Sequence, residues 1–131
     1  MRKSLKEYAK KNKIKYFMIS FTDIFGAQRA KLVPAQVISE MEKEGAGFAG
    51  FATWLDMTPA HPDMLAMPDP KSVIQLPWQP EVAWLASDLV MEDNEVSQAP
   101  RNVLRKLIIE AKTKKFRVKT GIEAEFFLIK R

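Results

Sequence analysis

The chain has 131 residues, of which 47% are apolar and 28% are charged, proportions close to those of an average globular domain. It contains no cysteine and a single histidine, His61, which excludes disulfide scaffolds, thiolate zinc sites, cysteine nucleophiles and multi-histidine metal sites. The formal net charge of +5 suits an anionic partner, although a solvated basic surface is the simpler explanation. Because no apolar run approaches the ~18 residues of a membrane span and no signal peptide is recognisable, we expect a cytoplasmic protein without a membrane partner.

The first third of the chain predicts a helix, a β-hairpin and a second helix. A capping-box pattern predicts a helix within residues 1–12. Residues 13–23 are rich in β-branched and aromatic side chains and predict a strand, and residues 28–33 alternate after a glycine-containing turn, which indicates a hairpin. Pro34 suits the first turn of a second helix, which Gly45 ends.

The rest of the chain predicts four strands and one long helix. Periodicity leaves residues 45–54 undecided, and six prolines exclude long helices from residues 56–80. Residues 91–99 are predicted as a polar linker, and Pro100 begins a helix that runs to about residue 115. The apolar stripe of this helix is Val103, Leu104, Leu107, Ile108 and Ala111. The predicted strands are residues 64–67, 73–76, 82–90 and 122–129.

Glu123 and Glu125 form the pair that most suggests chemistry. Alternate residues of a strand share a face, so the two carboxylates would project from the same side, roughly 7 Å apart at the backbone. Such acids repel each other and lose hydration, and Mg²⁺ or Mn²⁺ would remove both costs. Pattern alone favours a plainer alternative, a solvated acidic edge or acids paired with Lys or Arg. A glycosidase pair fits poorly, because both acids would lie on one side of a substrate.

Other features give less support to a function. No Walker A loop occurs. His61 lies in a proline-rich loop and is expected to be exposed. The three tryptophans, Trp54, Trp78 and Trp84, fit core or subunit packing better than a stacking platform. The lysines are not interleaved with aromatic residues in any groove-like pattern, which argues against a nucleic-acid-binding domain.

Five stretches, in order, resemble the N-terminal part of the glutamine synthetase family. They are FTDIFG with RAKLVP (21–26 and 29–34), DMLAMPD (63–69), WLASD (84–88), PR (100–101) and EAEFFL (123–128). The resemblance implies an α+β fold. An N-terminal helix within residues 1–12 would precede a β-grasp-like domain over residues 13–95, and residues 96–131 would hold a linking helix and the first strand of a catalytic domain.

Members of this family are ATP-dependent ligases that phosphorylate the γ-carboxylate of glutamate, after which ammonia or an amine displaces the phosphate. The resemblance implies that Glu123 and Glu125 are ligands of Mg²⁺ or Mn²⁺. It also implies a ring-like homo-oligomer in which the β-grasp domain packs against the next subunit. The family's ATP-binding, glutamate-binding and remaining metal-binding residues follow this stretch, so we expect the 131 residues alone to be inactive.

One departure from the family concerns the amine. Many members carry D-G-S-S before the D-M-x-L-x-P-D segment, and its Asp helps to bind ammonium; here the simplest alignment puts Ala49 at that position. The stretch therefore resembles the type III branch that includes γ-glutamylmethylamide synthetases. Asp56 as a substitute acid and Asp63 at a family position are the remaining catalytic candidates, although ordinary loop and turn roles explain both.

Two functions of other classes remain open at the level of sequence. A short family-derived module could bind or regulate a full-length synthetase without catalysis, and co-purification with a synthetase would favour it. A basic nucleic-acid-binding domain would instead show binding that falls steeply with salt.

Overall fold

The computed structural model describes residues 4–53 and 55–130, so Trp54 and the ends of the chain lie outside the described residues. The helices are α1 (Leu5–Asn12), α2 (Ile38–Glu44) and α3 (Pro100–Thr113). The strands are β1 (Tyr16–Thr22), β2 (Gln28–Pro34), β3 (Ala46–Phe48), β4 (Met64–Pro68), β5 (Ile74–Leu76), β6 (Gln79–Met91) and β7 (Asn94–Glu95). Short 3₁₀ turns occupy Ala35–Val37, Gly50–Thr53 and Pro70–Ser72.

The strands form one mixed sheet in the order β2-β1-β6-β4-β3, with β5 and β7 paired to the long strand β6. β1 and β2 form the predicted antiparallel hairpin, and β1 runs parallel to β6. The predicted α+β fold is confirmed. The predicted domain limits at residues 12 and 95 stay predictions.

The hydrophobic core lies between one face of this sheet and helices α1 and α2. Alternation along β1 and β6 turns Phe17, Ile19 and Leu85 inward, where each is 0% exposed. Leu5 of α1 and Ile38 of α2 pack into the same cluster. Each such side chain contributes about 1.5–3 kcal/mol through removal from water. The sheet-and-two-helix unit therefore has a core of its own.

The hairpin turn is fixed by a buried carboxylate. Asp23 accepts the backbone N–H groups of Phe25 and Ala27, both at 2.9 Å, and pairs with the Arg29 guanidinium at 2.9 Å. Gly26 supplies the positive φ of 81° that the turn requires. Burial raises the pKa of Asp23, but the hydrogen bonds from Ala27, Arg29 and Phe25 outweigh it and hold that pKa below its ordinary value.

Helix α3 packs with its polar side inward. Arg101 bonds Asp88 at 2.9 Å and Asp69 at 2.6 Å, and Arg105 bonds Asp88 at 2.7 Å. Asn102 is completely buried. The apolar stripe predicted for this helix is real but faces away from the domain, with Val103, Leu104, Leu107 and Ile108 all exposed. The charged partners on the sheet decide which side of the helix is buried, although its apolar periodicity is regular.

The prediction of a strand over residues 122–129 is wrong for the residues that the structure describes. Residues 116–130 form neither helix nor strand and are exposed throughout. Phe127, for example, is 96% exposed. A strand requires a neighbour for its backbone hydrogen bonds, and none of the described strands pairs with this segment. In the described ranges, no helix combines the length and apolar character needed to cross a bilayer.

Candidate functional site

The two predicted metal ligands lie in the exposed segment that follows α3. Glu123 and Glu125 are both exposed, and within residues 4–53 and 55–130 no cluster of three or more His, Cys, Asp or Glu side chains is suited to a metal ion. Carboxylate oxygens are the donors that Mg²⁺ and Mn²⁺ prefer, so the chemistry of the pair fits such an ion. The geometry does not fit a metal ion, because two carboxylates on a segment without strand partners do not form a coordination shell. Their role as metal ligands stays a prediction.

The other sequence candidates lie in the loop between β3 and β4. Asp56 is exposed and adopts a positive φ of 57°. Asp63 lies beside β3, with Oδ2 3.9 Å from the position that a Cβ on Gly47 would take. His61 is exposed as expected, and its Nδ1 accepts the Thr58 backbone N–H at 3.0 Å. A catalytic role for Asp56 or Asp63 stays a prediction.

The described residues between β3 and Met57 carry several supporting contacts of this loop. Its 3₁₀ turn is closed by the Thr53 hydroxyl, which donates to the Gly50 carbonyl at 2.6 Å. Leu55 is 1% exposed and anchors the loop in the core. The Gln98 amide donates to the Leu55 carbonyl at 2.6 Å and ties the loop to the segment before α3. The loop is therefore held at several points.

Phe48 precedes Ala49 and is held from two sides. Its ring meets Phe21 edge-on, with ring centroids 4.9 Å apart. The Lys31 ammonium lies 5.0 Å from the centroid of the Phe48 ring and also donates to the Gly47 carbonyl. Such a cation–π contact contributes about 0.5–1 kcal/mol at an exposed site. Lys31 thereby joins β2 to β3, although these strands lie at opposite edges of the sheet.

Met57 returns to the start of the same loop. A Cβ added to Gly50 would collide with the Met57 sulfur and would contact its Cβ and Cγ at 3.5 Å. The thioether therefore covers the Gly50 backbone, directly after Ala49. Met57 is half-buried and also packs against the hydrophobic core. Sequence reasoning missed Met57 and Lys31, because each contact joins positions that no local pattern relates.

Two opposite charges flank Gly47 at the start of this loop. The Lys31 ammonium and the Asp63 carboxylate both flank Gly47, and their charges are opposite. Ala49, which the family resemblance predicts to stand where many members carry an acid, has no charge. A further carboxylate, that of Asp56, lies within the loop and is exposed.

Comparisons with known proteins give consistent relatives. No protein-family model matches the chain. Over 125 residues, or 95% of its length, the chain is 65% identical to "Glutamine synthetase" of Rhizobium leguminosarum bv. phaseoli, and it covers 29% of that protein. It is 35% identical over 127 residues to "Glutamate--methylamine ligase" of Methyloversatilis universalis, of which it also covers 29%. A solved GmaS/ADP complex matches with a TM-score of 0.83 and 53% identity over 85% of this chain and 26% of that chain. The chain thus spans less than a third of the length of these proteins.

Proposed function

Because the chain belongs to the glutamine synthetase family, we propose that it serves as the N-terminal portion of an ATP-dependent ligase that joins glutamate to ammonia or a small amine. The observation that carries the proposal is the 65% identity over 95% of the chain to a rhizobial glutamine synthetase. Ligase chemistry of this kind activates the γ-carboxylate as an acyl phosphate, and the amine then displaces phosphate. The difficult substitution is thereby divided into two easier steps.

The contribution of this chain to metal binding would come from Glu123 and Glu125. An extended segment with exposed apolar side chains becomes a strand when other strands pair with it, and alternation then turns both carboxylates to one face. The remaining ligands would come from residues outside this chain. A bound Mg²⁺ or Mn²⁺ supplies neutralisation of phosphate charge. The ATP site would likewise lie mostly outside these residues.

The loop around Ala49 supports a small alkylamine as the second substrate, with ammonia as the alternative. A carboxylate favours a bound ammonium ion, whereas an apolar surface favours the methyl group of a neutral amine. The name of the Methyloversatilis relative refers to methylamine, whereas the name of the rhizobial relative refers to glutamine.

The exposed apolar surface supports assembly with further protein. The accessible surface is 10213 Å², against about 7,000 Å² for a compact protein of 15.0 kDa. The excess on this one chain is larger than the roughly 800 Å² that each partner buries in an interface of standard size. It includes the outward stripe of α3 and the segment 116–130. We propose that the catalytic part of the ligase covers α3 and this segment, and that full-length subunits form a ring.

The first test is the intact mass of this protein as its own cells make it. A polypeptide of several hundred residues would then be assayed with glutamate, ATP and a panel of amines that includes ammonia and methylamine. Formation of a γ-glutamyl amide is the expected result. A native mass of 15.0 kDa would overturn the catalytic proposal and favour a module that binds a separate synthetase.

The 131 residues provide their own control. We expect no glutamate- and ATP-dependent phosphate release from the purified chain, because two exposed carboxylates do not form an active site. Phosphate release from this chain that requires both substrates would contradict the proposed division between it and the rest of the ligase.

A further inference from the structure

Helix α3 is attached to the domain only by its first turns. Within this helix, which the structure describes in full, Asn102 is the one buried residue, and residues 106–110 are all exposed. Ala99, directly before the helix, belongs to the hydrophobic core, but none of the apolar side chains of α3 itself packs into that core. The second half of the helix therefore projects from a short polar attachment.

Asp88 of β6 is the shared acceptor of this attachment. Its Oδ1 accepts from Arg101 Nε at 2.9 Å, and its Oδ2 accepts from Arg105 Nη1 at 2.7 Å. Arg101 also reaches Asp69 at 2.6 Å and Arg105 reaches Glu95 at 3.0 Å, so the five charged groups form one network. Because Asp88 binds both arginines, the loss of its charge would weaken the hold on two turns of the helix at once.

The network lies near the surface, where dissolved ions reach it. The side chains of Arg101 and Arg105 are both 40% exposed, and the side chain of Asp88 is 25% exposed. Salt screens pairs between partly exposed charges, whereas the apolar contacts of the core carry no charge to screen. Added salt should therefore loosen α3 and leave the sheet and its core intact.

We propose that Asp88 latches α3 to the sheet, and that the helix detaches as a unit, with the core intact, when this latch is screened or broken. A helix of 14 residues is marginal on its own in water, so its backbone hydrogen bonds open to solvent once it detaches. Elements held by few buried apolar contacts are those that open locally in folded proteins. The latch fixes the direction in which α3 and the segment after it leave the domain, and its release frees both to reorient. It does not depend on the proposed function, because its contacts all lie within residues 69–105.

Hydrogen exchange followed by mass spectrometry tests the latch on the 131-residue chain, which has a core of its own. Exchange is measured at about 0.1 M and about 1 M sodium chloride, between which the screening length falls from about 10 Å to about 3 Å. Each rate is normalised to that of the same peptide in the urea-unfolded chain at the same salt concentration. We expect the amides of residues 104–109 to exchange about tenfold faster at the higher salt, because several partly exposed pairs weaken together. The amides of β1 and of residues 82–86 should keep their rates.

Asp88→Asn breaks the latch without added salt, because it keeps the shape of the side chain and removes its charge. Exchange in α3 should then be about tenfold faster already at the lower salt, and should respond less to added salt. Glu110→Gln is the matched control, since it breaks the pair with Lys114 at 2.6 Å on the exposed part of the same helix. This control should keep the salt response of the wild type. Arg105→Gln breaks one arm of the latch and replaces Asp88→Asn if that variant fails to fold, and the wild-type salt series needs no substitution.

The outcomes distinguish a detaching helix from general loosening. Faster exchange confined to α3 at high salt and in Asp88→Asn would support the latch. Equal increases in α3 and β6 would mean that the helix and the core open together, which would overturn it. Exchange of α3 that does not change with salt in the wild type, or an effect of Glu110→Gln as large as that of Asp88→Asn, would overturn it as well.

Discussion

Replacement of Asn102 by alanine tests why the polar side of α3 faces the domain. The Asn102 amide donates to the Leu89 carbonyl at 3.1 Å and to the Val96 carbonyl at 2.9 Å, and its oxygen accepts from Arg105 at 3.0 Å. The side chain is 0% exposed. It therefore joins β6, the segment after β7 and the helix through one group.

The loss of stability on Asn102→Ala depends on whether each former hydrogen-bond partner of Asn102 keeps another bond. The Leu89 carbonyl still accepts the Val96 N–H, and the Val96 carbonyl still accepts the Ala99 N–H, so neither becomes unpaired. Each lost amide bond then costs about 1 kcal/mol, and the bond from Arg105, which is partly exposed, adds about 0.5–1 kcal/mol. The free energy of unfolding should fall by about 2–3 kcal/mol, which corresponds to a fall in Tm of about 10 °C for a chain of this length.

Urea unfolding of the 131-residue chain, followed by far-UV circular dichroism, measures this loss. Val103→Ala on the neighbouring position of the same helix is the control, because Val103 faces outward and is expected to change stability by less than about 0.5 kcal/mol. If Asn102→Ala were no more destabilising than Val103→Ala, the polar contacts would not hold α3 against the sheet, and the reasoning would be refuted.

Three further outcomes are expected. The folded-state pKa of Asp23 lies below its unfolded value, so the ionised carboxylate stabilises the fold above about pH 4. This stabilisation is lost as the pH falls through the lower folded-state pKa. The urea midpoint of Asp23→Asn should therefore depend less on pH in this acidic range than that of the wild type. Gly45→Ala should cost about 2 kcal/mol or more in the same unfolding assay, because φ is 78° and the new Cβ would lie 3.0 Å from the Leu65 Cβ. Glu123→Ala and Glu125→Ala should shift the Tm of the 131-residue chain by less than about 1 °C, since both positions are exposed, yet abolish activity in the longer ligase. Retained activity in either variant would contradict the metal assignment.

Local patterns were sufficient for most elements of the fold. The β1–β2 hairpin follows from alternation on both sides of a glycine turn. Helix α1 follows from a capping-box pattern, and α2 and α3 follow from helical spacing and from proline or glycine at their ends. Hydrogen bonds in a helix or a tight hairpin join residues close in sequence, so the information for them is local. The family resemblance rested on short motifs, and the comparisons agree with it.

Two features depended on partners that are distant in sequence: which side of α3 is buried, and whether residues 122–129 form a strand. The apolar stripe of α3 faces outward, because Asp88 on β6 and Asp69 directly after β4 bind the arginines on its other side. Residues 122–129 have the composition of a strand, but a strand exists only when another strand accepts and donates its hydrogen bonds. The cover of Gly50 by Met57 likewise depends on how the loop folds back. The sequence by itself determined the local elements and the family. The tertiary structure decided which faces are buried and which side chains meet, because burial and pairing are relations between residues far apart in the chain.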